Sequence, residues 1–87
     1  MRHITSSGLD RLEAFLVQLR RLEGLREKKR GVFYRRSRAF LHFHEDPEGL
    51  FADVRLADEF ERFRVSSKAE QKALLARLRA ALETSEG

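Results

Sequence analysis

The chain has no cysteine, no tryptophan, a single proline and only five glycines in 87 residues. Without cysteine there can be no disulfide, no thiolate zinc site and no cysteine nucleophile. One proline and no low-complexity tract set the chain apart from disordered or proline-rich sequences. No apolar run approaches the roughly 18 residues that a membrane span requires, and the residues after Met1 do not read as a signal peptide. These absences lead to the expectation of a soluble, cytoplasmic, single-domain protein over residues 1–87, with no membrane partner and no cofactor.

What is present is enough for one small core. Hydrophobic residues make up 41 % of the chain, with thirteen leucines and seven phenylalanines among them. A domain of this size buries a modest share of its surface and has little stability to spare. The formal net charge is +4, but it is unevenly spread. Residues 1–38 hold eleven Lys/Arg against four Asp/Glu, and residues 39–87 hold seven against ten. The excess lies in Arg26, Lys28, Lys29, Arg30, Arg35, Arg36 and Arg38, opposed only by Glu27. Such asymmetry points to an anionic partner. The plainer account is a solvated loop, since arginine outnumbers lysine fourteen to four in this chain.

The apolar positions Leu9, Leu12, Phe15, Leu16, Leu19 and Leu22 recur at steps of three and four, which predicts a helix. Residues 1–6 read as a flexible lead-in. Ser7 reads as the cap, with Asp10 three residues on. Gly24 suits a left-handed helix stop. The rival reading carries the helix through Lys29 to Gly31; with the stop at Gly24, Leu25–Gly31 is a basic connector. From Gly31 to Val65 the pattern alternates. Val32–Tyr34, Ala39–Glu45, Leu50–Leu56 and Phe60–Val65 read as four strands, joined by turns at Arg35–Arg38, Asp46–Gly49 and Ala57–Glu59. In Asp46-Pro47-Glu48-Gly49, proline presets the first turn angle and glycine accepts positive φ. Ser67 then caps a last helix, with Glu70 placed for a capping box and Leu74, Leu75, Leu78, Ala81 and Leu82 as its stripe. Residues 84–87 should fray.

The resulting expectation is an α+β two-layer sandwich: helix, four-stranded antiparallel meander, helix, with both helices on one sheet face. That face takes Leu41, Phe43, Leu50, Ala52, Val54, Leu56, Phe63 and Val65. The open face takes Phe40, His42, His44, Phe51, Asp53, Arg55, Arg62 and Arg64. The register stays open between two turns. A three-residue loop pairs Asp46 with Leu50 and moves both histidines to the face of Ala52 and Val54. A four-residue loop pairs Glu45 with Leu50 and keeps apolar beside apolar, which the hydrophobic pattern favours.

His42 and His44 lie two apart on a strand and so point the same way, with Asp53 opposite His42 in the favoured register. Two imidazoles and one acid are one ligand short of the usual zinc set when His3 is too far along the chain to assign. The plainer account is a half-exposed histidine bonded to Asp53. Ser37, Ser66 and Ser67 occupy turn or cap positions and form no nucleophilic set. The carboxylates Glu45, Asp46 and Glu48 gather at a turn with no opposing pair. The sequence thus points away from an enzyme and assigns no catalytic residue.

Two binding readings remain. Phe40 and Phe51 on a face with no helix to cover it suggest a homodimer or interaction module. Alternatively, Arg26–Arg38 and the sheet residues Arg55, Arg62 and Arg64, interleaved with phenylalanines, form a nucleic-acid or anion surface. Asp53, Glu59 and Glu61 oppose the second.

The run Phe33-Tyr34-Arg35-Arg36-Ser37-Arg38-Ala39-Phe40-Leu41-His42-Phe43-His44-Glu45-Asp46, with Gly49-Leu50-Phe51-Ala52-Asp53-Val54-Arg55, resembles a family of small bacterial proteins without known activity. The resemblance covers residues 31–82 and implies a compact α+β domain. Ser67, Lys68 and Lys72 also resemble the opening of the last helix in double-stranded RNA-binding domains, which run helix, three strands, helix. Ala69 stands where that pattern has a second lysine.

Overall fold

The computed structural model describes residues 2–83, so the expected fraying at 84–87 lies outside the described residues. In chain order the elements are β1 (Arg2–His3), α1 (Ser6–Arg11), α2 (Glu13–Arg20), β2 (Arg26–Lys29), β3 (Val32–Arg35), β4 (Arg38–Asp46), β5 (Gly49–Val54), β6 (Glu61–Arg64) and α3 (Lys68–Glu83). The fold is α+β. Strands β2 to β6 form an antiparallel meander in sequence order, and β1 pairs with β4. Five strands therefore separate the helices in the meander, not the four expected, nor the three of double-stranded RNA-binding domains. No helix among the described residues is long and apolar enough to cross a membrane.

The helical stripe packs as its spacing demands. Leu9, Leu12, Phe15, Leu16 and Leu19 are buried against Leu41, Phe43, Leu50, Ala52, Val54 and Val65 of the sheet and Leu74, Leu75 and Leu78 of α3. Leu56 and Phe63, also expected on this face, are partly buried against the same core. The helix is not continuous. Leu12, at φ −100° and ψ 6°, separates α1 from α2 while its N–H still reaches Leu9 O at 3.0 Å. The cap is Thr5, not Ser7: the Gly8 N–H donates to Thr5 Oγ1 at 3.1 Å, which places both serines inside α1. Gly24 does adopt positive φ, although α2 ends earlier, at Arg20.

Two stretches read as irregular are in fact strands. Residues 2–5 are not a loose lead-in. Arg2 pairs with Glu45 and His3 with His44. The Glu45 carboxylate then accepts from the Thr5 N–H at 2.8 Å, Thr5 Oγ1 at 2.9 Å and Arg2 at 3.1 Å. The basic connector becomes β2, an edge strand hydrogen-bonded to β3 and turned by Gly31 at φ +82°. Its charge hides it in the sequence, and charge is also what keeps an edge strand from pairing with other chains. Glu27 fixes it in place: its carboxylate accepts the Gly31 N–H at 2.9 Å and two bonds from Arg20 of α2.

The register between β4 and β5 is the one the hydrophobic pattern favours. Glu45 faces Leu50 and Phe43 faces Ala52, so apolar residues share one face and His42, His44 and Asp53 the other. Gly49 has φ +142°, and a Cβ there would collide with Ser66 Oγ and crowd the Arg64 guanidinium. Both backbone angle and space therefore require glycine.

Phe40 corrects the expected open face. The β3–β4 pairing steps from Phe33 opposite Leu41 to Tyr34 opposite Ala39, leaving Phe40 as the extra residue of a bulge. A bulge breaks the two-residue alternation. Phe40 and Leu41, adjacent in sequence, are thus both buried, at 2 % and 1 % exposure. Helix α3 opens as expected: the Ser67 N–H donates to Glu70 Oε1 at 3.0 Å and the Glu70 N–H to Ser67 Oγ at 3.1 Å, a complete capping box.

Candidate functional site

Two groups of polar side chains stand out, one where β4 begins and one along its middle and second half. The first surrounds the β3–β4 turn. Arg36 and Ser37 form its tip, both left-handed, at φ 53° and 70°. Two shallow concavities flank this tip. One, of about 380 Å³, is lined by Arg26, Lys28 and Arg36 around Tyr34. The other, of about 180 Å³, is lined by Arg35, Arg36, Arg38 and Arg55 around Phe40. Arg36 belongs to both. Among the described residues no carboxylate lines either one. A larger cavity, about 540 Å³, lies elsewhere, with Ile4, Leu9, Val32 and Phe43 among its lining residues.

The ten basic residues singled out in the sequence divide sharply. Arg30 is engaged by Asp10 at 3.0 Å and Glu13 at 2.9 Å, and so is not a free cation. Arg62 grips Asp53 with two bonds of 2.7 and 2.8 Å. Arg64 is held by Glu70 and by the Glu48 carbonyl. Two of the three sheet arginines, Arg62 and Arg64, are thus engaged by acids rather than free to meet solvent anions, whereas Arg55 donates to the Ala39 carbonyl at 3.1 Å. Among the described residues no carboxylate pairs with the remaining seven: Arg26, Lys28, Lys29, Arg35, Arg36, Arg38 and Arg55. Several of these lie over aromatic rings: Lys28 over Tyr34 at 4.7 Å, Arg35 over Phe40 at 5.7 Å and Arg55 over Phe60 at 4.5 Å. Such contacts order a long cation without consuming its charge.

The second group is the histidine cluster. His44 Nε2 lies 3.1 Å and His42 Nε2 3.6 Å from the same oxygen, Asp53 Oδ2. The donors of these three residues all lie within 4.8 Å of one another. Asp53 is buried, and the Arg62 guanidinium holds its carboxyl below the usual carboxylate range. Burial pushes the His42 pKa down, against the pull of the Asp53 carboxylate. His3 joins the group, its ring stacked on His44 at 5.5 Å. Sequence reasoning missed it because β1 is two residues long and shows no alternation to read.

Of the two self-association candidates, Phe40 is lost to the core. Phe51 is half-buried, between His44 and Arg64 in the sheet register. No family model matches the chain, and neither a curated protein nor a solved structure is significantly similar to it.

Proposed function

We propose that this chain binds the phosphate backbone of a nucleic acid through the β3–β4 turn and the flanking ends of β2 and β5. One observation carries the reading: Arg26, Lys28, Arg35, Arg36, Arg38 and Arg55 line two adjoining concavities that share Arg36 and contain no carboxylate. A cleft of one charge sign raises the local concentration of the opposite ion. Arginine adds a planar fork that matches phosphate geometry. Tyr34 and the 39 %-exposed Phe60 lie beneath Lys28 and Arg55 and offer ring faces to unstacked bases. Self-association through the open face has less to stand on once Phe40 is in the core, because what remains there is Phe51 and Phe60 among histidines and charged side chains.

The test is fluorescence anisotropy with a labelled short duplex and a labelled single strand at about 50 mM salt, where backbone contacts are strongest. The reading requires binding to at least one of them, weakening as salt rises. Failure of both to bind would end it.

A further inference from the structure

We propose that His42, His44 and Asp53 form a binding site for a borderline divalent cation of the zinc class, with water completing its shell. The site shares no residue with the basic concavities. Its three donors come from adjacent strands in fixed register, His42 opposite Asp53 and His44 opposite Phe51. Rigid strands hold such donors more closely than loops do.

The donors are close enough to share one ion, all three lying within 4.8 Å of one another. Bonds of about 2.0–2.1 Å in a tetrahedral shell put neighbouring donors about 3.3–3.4 Å apart. The two edges to Asp53 Oδ2 are 3.1 and 3.6 Å, on either side of that value. Two imidazoles and one carboxylate make a mixed nitrogen and oxygen set, which suits zinc over magnesium or calcium. Three protein ligands leave a fourth position to water, the pattern of open sites.

Arg62 supplies the orienting contact that ligating carboxylates normally have. It bonds Oδ1 through Nε at 2.7 Å, and its second bond, at 2.8 Å to Oδ2, is the one a metal would replace. Its charge opposes a cation and moderates the affinity. The guanidinium is 48 % exposed, so water screens much of that repulsion.

Zinc titration by calorimetry on the full chain tests the site, with Co(II) absorption reporting coordination number. The expected result is one zinc per chain, a four-coordinate Co(II) spectrum and a melting temperature raised by zinc and restored by chelator. His42→Gln and His44→Gln should each weaken zinc about tenfold or more, with melting curves taken without metal to verify that both variants fold. His3→Gln should leave zinc affinity within about twofold, because His3 is outside the donor set. The proposal is overturned if no zinc binds at about 100 µM, if folded His44→Gln binds as well as the parent chain, or if His3→Gln alone abolishes binding.

Discussion

At the residue scale, the chain carries strain where it carries charge. Left-handed geometry costs an L-residue roughly 1–2 kcal/mol, and two-residue hairpin turns normally place Asn-Gly there. Here Arg36 and Ser37 hold those positions. The turn keeps an arginine at its tip at the expense of stability, a pattern common at binding sites. Ser37→Gly should therefore stabilise the domain by about 0.5–1 kcal/mol in chemical denaturation, because glycine adopts positive φ freely. It should leave nucleic-acid affinity unchanged, since Ser37 contributes no charge. Phe40 and Phe51 offer a second residue-scale contrast. Phe40→Ala should cost about 3–5 kcal/mol, the usual loss for a fully buried ring, whereas Phe51→Ala should cost distinctly less. Equal losses would mean that Phe40 is not in the core.

At the scale of elements, the parts legible in the sequence are those set by local chemistry. The capping box at Ser67 and Glu70, the turn at Gly49 and the β4–β5 register all follow from neighbouring side chains. Ser67→Ala should lower stability by about 1 kcal/mol through loss of the cap. Glu70 is held below its ordinary pKa first by the Ser67 N–H and then by Arg64, Glu27 first by Arg20, and Glu13 by Arg30 and Arg20. Carboxyls depressed in the folded state stabilise it above their unfolded pKa, and that contribution is lost as pH falls through the folded value. His42, lowered by burial, works in the same direction at higher pH, because the unfolded chain takes up its proton more readily. Thermal midpoints should thus begin to fall below about pH 6.5 and fall further below about pH 5, with Glu70→Gln losing less than the parent in the lower range. What the sequence hid depends on specific side-chain bonds that leave no periodic pattern. β1 rests on Glu45, some forty residues away, and β2 on the nearer bonds from Arg20 and Gly31 to Glu27. The bulge at Phe40 left no mark at all, because bulges are set by pairing geometry rather than composition. The same holds for the sites. The His42, His44 and Asp53 grouping was readable from strand period, whereas His3 was not. The basic run was readable, whereas the pairing of Arg30, Arg62 and Arg64 with acids was not.

At the scale of the whole molecule, the net charge of +4 says less than its placement. Acids hold Arg20, Arg30, Arg62 and Arg64, and among the described residues none pairs with the cations around the β3–β4 turn. A second basic surface lies between α2 and α3, where Lys68, Lys72 and Arg79 line a groove of about 380 Å³ with no acid among the described residues that line it. It is also where the likeness to double-stranded RNA-binding domains would place RNA. The measurement that decides between them is the salt dependence of nucleic-acid binding for two triple variants. One is Arg26→Gln, Arg36→Gln, Arg38→Gln; the other is Lys68→Gln, Lys72→Gln, Arg79→Gln. Both remove three positive charges, so non-specific attraction through net charge falls equally. Each phosphate contact on a duplex contributes about 0.9 to the slope of log affinity against log salt. If the β3–β4 turn carries the contacts, the first variant flattens that slope by up to about three units and the second leaves it nearly unchanged. The opposite outcome, or equal flattening in both, would contradict the account.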